Sequence, residues 1–396
     1  MARAKPKPHT LISMFSGAGG LDLGLERAGF QTRVMVEVDR DARATVEANK
    51  TSFGRDFPIL EDVTKASAQD LLEASGLKRG EPTLLAGGPP CQSFSTAGRR
   101  QSIGDPRGSL FVHFADAIRH IQPRFFVMEN VRGLLSAAVQ HRPLNQRTQW
   151  DPPLAPEEQP GSALRIILHE FDASGYQVVK GLVNSANYGV PQTRERLLII
   201  GSRDHEFPYA AQEPTDLMTT THPKTEWRTL GDALKQVNGK ATFIPYSESR
   251  AEIFKLIPEG ANWRHIRDNY GDEMLRQVMG GAYASDGGRV GFYRRLSRKK
   301  PSPTLPTSPI QKSTALCHPT KLRPLSVEEY QVIQQFPYEW DFAGSVASRY
   351  RQIGNAVPVG LGEAIGRALV GVVKDRAPKQ RRLLERQASW SKRAAV

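Results

Sequence analysis

Cys91 stands in the run Gly87-Gly88-Pro89-Pro90-Cys91-Gln92-Ser93-Phe94-Ser95. A lone cysteine is usually a small buried hydrophobe. This one is approached through two prolines and left through polar residues, which suits a rigidly presented nucleophile better than a core position. The apolar run 83–86 just before it reads as a strand, so the thiol falls at the C-terminal edge of that strand. Open α/β sheets bind their ligands along that edge. The second cysteine, Cys317, reads as structural. Two cysteines are too few for a disulfide framework or a zinc site of the usual spacing, so a reactive thiol here must act alone in a reducing compartment.

A second set of residues suits a nucleoside. Phe15-Ser16-Gly17-Ala18-Gly19-Gly20 ends the first expected strand and opens a helix. Glycines there let the backbone approach a ligand and leave free N–H groups at the helix start. Taken alone, such a turn is often only a tight connection. Glu37 follows at the end of the next strand, placed to bind ribose hydroxyls. Asp62 follows a weak third strand (58–60), where it can accept from an adenine amino group. No Gly-Lys-Ser/Thr phosphate loop occurs, so a nucleoside without phosphates fits better than NAD or ATP. Glu129 and Arg196, both expected at strand ends, taken by themselves suit a structural ion pair.

The elements that must position these residues alternate apolar runs with amphipathic segments, the pattern of a doubly wound α/β sheet. Strands are expected at 11–15, 34–38, 83–86, 125–129, 178–183 and 196–201, and helices at 21–28, 41–49, 110–121 and 162–174. Residues 139–161 read as a Pro/Gln-rich surface insertion. From about 206 to 320 regular alternation is lost; helical periodicity returns at 326–335 and 359–373.

The five motifs together resemble the DNA cytosine-5 methyltransferase family, of the bacterial restriction-modification type. They are the glycine turn, Pro-Pro-Cys-Gln, Glu129-Asn130-Val131, Gln192-Thr193-Arg194-Glu195-Arg196, and Gly354-Asn355-Ala356-Val357-Pro358, in the family's order. The resemblance covers most of 10–205 and 320–372. It implies the class I S-adenosylmethionine-dependent methyltransferase fold, with a mostly parallel sheet and a smaller variable target-recognition domain. The division it implies is a basic extension (1–9), a catalytic and cofactor-binding domain (10–205), a target-recognition domain (206–344), a returning segment (345–373) and a basic tail (374–396).

The same resemblance implies roles. Cys91 would attack C6 of a flipped cytosine, making C5 nucleophilic. Glu129 would contact N3 and the exocyclic amine, Arg196 would contact O2 and hold Glu129, Arg194 would lie nearby, and Asn130 would brace the loop. S-adenosyl-L-methionine would be held by Phe15, Gly17, Gly19, Gly20, Glu37, Val38, Asp62 and Val63, with Pro90, Leu110, Asn355 and Val357 closing the site. Some relatives carry a serine where Ala97 stands, which fills the gap left by the flipped base; here Gln101 or a residue of the variable domain would take that part.

Duplex DNA is the expected partner. Segment 92–108, with Arg99, Arg100, Arg107 and three glycines, suits a lid closing on phosphates. Arg294 and Arg295 stand out in the segment 262–300, where Trp263, Arg264, Arg267, Tyr293, Arg298, Lys299 and Lys300 also cluster; charges there can equally be a solvated surface. The net charge of +13 is weak support for DNA binding, because the two termini carry +9 of it. No signal peptide or membrane span is read, so a cytoplasmic monomer is expected, with any cognate restriction endonuclease acting separately. A tRNA methyltransferase of this fold would be expected to carry a Cys-Phe-Thr signature, which is absent. A catalytically inactive DNA-binding protein is disfavoured by intact Cys91, Glu129 and Arg196, and an oxidoreductase by a glycine turn that departs from the dinucleotide pattern.

Overall fold

Both faces of the middle of the central sheet are buried, which is why most of its strands read as nearly continuous apolar runs. In the computed structural model, residues 8–90, 110–143, 146–147, 149, 151–239, 241–280, 283, 292–311 and 314–374 are described. Eight strands belong to the first half: β1 (His9–Met14), β2 (Phe30–Val36), β3 (Ile59–Leu60), β4 (Leu84–Gly87), β5 (Phe125–Val131), β6 (Gln177–Asn184), β7 (Gln192–Thr193) and β8 (Glu195–Ser202). Seven of them form one sheet in the order β3-β2-β1-β4-β5-β8-β6. Alternate residues serve opposite faces. Ile12, Leu85, Phe126 and Ile199 enter one apolar cluster, while Leu11, Leu84, Phe125 and Ile200 enter another.

The strands β1 to β5 are parallel, whereas β8 runs antiparallel between β5 and β6. The reason lies in the connection. Only the short 185–194 segment joins β6 to β8, and a parallel crossover needs a dozen or more residues. The reversal has a functional consequence. It places the start of β8 beside the end of β5, pairing Arg196 with Val131 in register. The Gln192–Arg196 motif thereby reaches the C-terminal edge at which β1, β4 and β5 end.

The helices are α1 (Gly20–Arg27), α2 (Arg40–Ser52), α3 (Ala68–Ser75), α4 (Leu110–Ile121) and α5 (Ser162–Ala173). The expected helices 21–28, 41–49, 110–121 and 162–174 correspond to α1, α2, α4 and α5. Helix α3 was not expected, although Ser67 and Asp70 form a capping box at its start.

The second half holds α6 (Leu230–Leu234), α7 (Glu248–Lys255), α8 (Trp263–Tyr270), α9 (Asp272–Met279), β9 (Arg294–Arg295), β10 (Ser302–Pro303), β11 (Leu316–Cys317), α10 (Val327–Ile333) and α11 (Val346–Asn355). One cluster here joins Leu230, Leu325, Tyr330, Trp340 and Ile353 to Ala18 and Leu23 of the first half. Another gathers Phe254, Trp263, Ile266, Leu275 and Cys317 separately. A last helix, α12 (359–374), returns to the sheet and buries Leu361, Ile365 and Leu369.

Val346–Lys374 is long and apolar enough to cross a membrane by composition, which the sequence reading had not anticipated. It is broken at 356–358, and half of its most apolar window is buried in the protein. These are core helices.

Candidate active site

At the C-terminal edge of the sheet a cavity of about 630 Å³ opens, lined by the glycine turn, the ends of β2, β4 and β5, and residues 304–307 and 351–357. That size suits a nucleoside-sized ligand. Glu129 and Arg196 meet at its edge, with Arg196 Nε 2.7 Å from Glu129 Oε1. Both side chains are nearly buried, so the pair is held by more than a surface contact.

Pro89 and Pro90 line the same cavity. Asn130 donates from Nδ2 to the Pro89 carbonyl at 2.9 Å, and its Oδ1 accepts from the Val131 N–H. The side chain thus clamps the backbone two residues before Cys91. A Cβ on Gly88 would stand 3.1 Å from Glu129 Oε2, so glycine lets the loop lie against the carboxylate. Cys91, together with Arg99, Arg100 and Arg107, lies outside the described residues.

On the other side of the cavity, Phe15 adopts φ 57°, an uncommon backbone state for a residue with a side chain. Gly17 and Gly19 also have positive φ, and Gly19 caps α1. The turn is pinned by Glu37, whose Oε2 accepts from the Gly17 N–H at 2.7 Å and Oε1 from the Asp39 N–H at 2.8 Å. Burial raises the Glu37 carboxyl above its ordinary range, with those hydrogen bonds opposing it. Asp62 accepts from the Thr64 N–H and hydroxyl, which lower its carboxyl. Val38 is 71% exposed and offers uncovered apolar surface to the cavity, while Val63 is buried beside it and Leu110 half-buried.

The returning segment closes the opposite wall. A Cβ on Gly20 would collide with the Val357 carbonyl, so the glycine turn and the 354–358 motif touch backbone to backbone. Arg194, fully buried, donates to the Gly354 carbonyl at 3.0 Å and the Asn355 carbonyl at 3.4 Å. Burial and the neighbouring Arg196 pull its guanidinium down to about 9, against the opposing charge of Glu129. Gln192 Nε2 donates to Gln334 Oε1 at 2.9 Å, and Gln192 Oε1 accepts from the Leu305 N–H at 3.0 Å. Alternate residues of one motif therefore do different work. Gln192 and Arg194 fasten the second half of the chain to the sheet, and Arg196 holds Glu129.

The cavity also contains residues that the sequence reading passed over: Asp22, Thr304, Thr307 and Arg351. Asp22 carried little signal in the sequence, since an acid in the first turn of a helix is ordinary. Among the residues expected to read DNA, Trp263 is a core side chain, with Arg264 and Arg267 stacked on its ring. Arg298 is tied to Glu259 and Arg267 to Asp268. Arg294 and Arg295 form β9 and pair with Leu316 and Cys317, and Arg295 Nη2 donates to the Phe254 carbonyl at 2.7 Å. Cys317 is buried, and burial pushes its thiol up to about 11.

The family model for C-5 cytosine-specific DNA methylases matches residues 9–371. Similar proteins include the type II methyltransferase M.Sau96I of Staphylococcus aureus, 38% identical over 92% of this chain and 76% of its own. M.PspPI of Psychrobacter sp. (strain TA137) is 37% identical over 96% of this chain and 83% of its own. Among solved structures, a prophage-encoded E. coli protein described as a DNA modification methyltransferase superposes with a TM-score of 0.61 at 21% identity, covering 92% of this chain and 99% of that one. The S. pombe Dnmt2 methyltransferase superposes at 0.58 and 15% identity, covering 92% and 99%. At such identities the likeness concerns the fold. A match running from β1 almost to the end of α12, through every wall of the cavity, makes this chain a member of the C-5 cytosine-specific DNA methylase family.

Proposed function

We propose that the chain uses Cys91, Glu129 and Arg196 to methylate C5 of a cytosine flipped out of a specific duplex DNA sequence, with S-adenosyl-L-methionine as methyl donor. The observation that carries this reading is the nearly buried Glu129–Arg196 pair at the rim of a nucleoside-sized cavity, beside the Pro89-Pro90 backbone that leads into Cys91. The cavity residues fit the donor. Its β1–β3 side offers the carboxylates Asp22, Glu37 and Asp62, and Arg351 there is engaged with Asp39 at 3.1 Å. An acidic lining favours a cationic nucleoside over a phosphorylated one. Glu37 would take the ribose, Asp62 and Val63 the adenine edge, Val38 and Phe15 the flat faces, and Gly17, Gly19 and Gly20 the methionine end. Pro90, Leu110, Asn355 and Val357 would complete the enclosure.

When bound, the donor supplies an electrophilic methyl group. The protein's own part is to prepare the base. The Cys91 thiolate adds to C6 while Glu129 provides a proton at N3, so the ring's electron density is delivered to C5. Arg196 orients Glu129 and approaches O2; Asn130 holds the backbone before Cys91; Arg194 fixes the wall formed by residues 354 and 355. Loss of the C5 proton to a base, with the N3 proton returning to Glu129, then expels Cys91 as its thiolate and restores aromaticity. Arg99, Arg100 and Arg107 would contact phosphates, and Arg294 and Arg295 lie in the 206–344 region assigned to target recognition. We place the enzyme in the cytoplasm as a monomer, with any cognate endonuclease acting separately.

Incubating the pure protein with methyl-labelled donor and either duplex DNA or tRNA tests the reading. Label in DNA 5-methylcytosine is expected; label confined to tRNA, or none, would overturn it.

A further inference from the structure

Asp22 is the third residue of α1, fully closed off from solvent, yet it lines the cavity. Neither of its carboxylate oxygens has a hydrogen-bond partner among the described residues. The Ser13 hydroxyl lies beside it and draws its carboxyl down, but falls short of a formed hydrogen bond; it sits 2.8 Å from the Ser16 hydroxyl, where either oxygen can be the donor. Arg55, the cation whose field reaches it, is paired with Glu26 at 2.8 Å. A buried charge left without a partner costs several kcal/mol, so such groups are retained where something else completes them.

The sheet order says what that partner is. The nucleoside-binding acids Glu37 and Asp62 follow β2 and β3, while Pro90 and Glu129 lie at the ends of β4 and β5, on the far side of β1. A donor spanning the two would turn its sulfur toward β4 and leave its amino-acid tail by the turn after β1, where Ser13, Ser16, Gly17 and Asp22 line the cavity. We infer that Asp22 is the counter-ion for the α-ammonium group of the bound donor. This rests on the S-adenosylmethionine reading above. Burial pushes the Asp22 carboxyl up to about 6; Ser13 and Arg55 work against that and Glu26 with it. A cation at the carboxylate would draw it back down.

The test is calorimetric binding of three ligands to the full chain and to Asp22→Asn. S-adenosylhomocysteine keeps the ammonium but not the sulfonium, S-adenosylmethionine has both, and 5′-methylthioadenosine has neither. A lost charge-assisted contact should weaken both amino-acid-bearing ligands about tenfold or more and leave methylthioadenosine nearly unchanged. In the wild-type protein near pH 6, adenosylhomocysteine should release more protons than methylthioadenosine, as read from the dependence on buffer ionisation heat. This second measurement needs no variant to fold. Unchanged adenosylhomocysteine affinity in a folded variant, equal loss for all three ligands, loss confined to S-adenosylmethionine, or equal proton release would each overturn the inference. If the wild type bound none of the three, the cofactor reading itself would fail instead.

Discussion

Arg196 Nε lies 2.7 Å from Glu129 Oε1 because β8 enters the sheet in reverse beside β5. The pair spends one carboxylate oxygen on the arginine and turns the other toward Gly88, on the loop that leads into Cys91. A proton delivered to a base seated there would come from Oε2. Glu129→Gln keeps the hydrogen bond but cannot deliver a proton. The single-turnover methylation rate should fall by roughly two orders of magnitude or more, with DNA affinity little altered. An unchanged rate would leave Glu129 a purely structural partner of Arg196.

Two glycines of the cofactor turn separate steric from conformational effects. A Cβ at Gly20 collides with the Val357 carbonyl, whereas one at Gly17 meets nothing within 4 Å but must hold φ 54°. Gly20→Ala should pry the returning segment from the turn, lowering Tm sharply and abolishing donor binding. Gly17→Ala should cost only about 1–2 kcal/mol of backbone strain. Thermal unfolding and donor titration of the two variants check the order.

The unpartnered Asp22 also predicts a pH dependence of the ligand-free protein. Its carboxyl rises from an ordinary 3.8 to about 6 on folding, chiefly through burial. The native state therefore holds the proton more tightly than the unfolded chain, and stability falls as pH rises from about 4 to about 6. Asp22→Asn escapes this loss. Its Tm should exceed that of the wild type above pH 6, by the equivalent of up to about 3 kcal/mol, with the gap closing toward pH 4. A gap that did not change with pH would contradict the assignment of the charge to Asp22.

Exchanging residues 206–320 for the matching region of a relative should change which sequence is methylated. Deleting residues 1–7 and 375–396 should weaken binding to all DNA alike, lowering the log–log salt slope by about 0.9 per lost phosphate contact. Bisulfite sequencing distinguishes the two: specificity that moved with the termini would place recognition in the wrong part of the chain.

Much of this was open to a reader of the sequence, for definable reasons. Strands buried on both faces leave long apolar runs, so β1, β2, β4, β5 and β8 stood out, while the half-buried β6 was marked by its valines and leucine. Motifs at strand ends could be assigned to one edge. The reversal of β8 was harder to see, since periodicity carries no direction; only the short 185–194 connection hinted at it. Helix α3 was missed because its eight residues give little periodicity, and its capping box was the better signal. Asp22 was missed because an acid in the first turn of a helix is ordinary until its surroundings are known. The arginines of 262–300 show the limit from the other side. Their clustering suggested a DNA-reading face, yet Arg267 and Arg298 have carboxylate partners that no local pattern announces.

A covalent bond between Cys91 and the target base is the most direct consequence of the proposed mechanism. Duplex DNA carrying 5-fluorocytosine at the methylated position, incubated with the protein and S-adenosylmethionine, should yield a complex that survives denaturing electrophoresis, because fluorine at C5 leaves no proton for the elimination that releases the thiol. Cys91→Ser should form none and should lack methylation, since a hydroxyl cannot supply the nucleophile a thiolate can. No trapped complex with the wild-type protein active on ordinary DNA, or methylation by the serine variant, would contradict it.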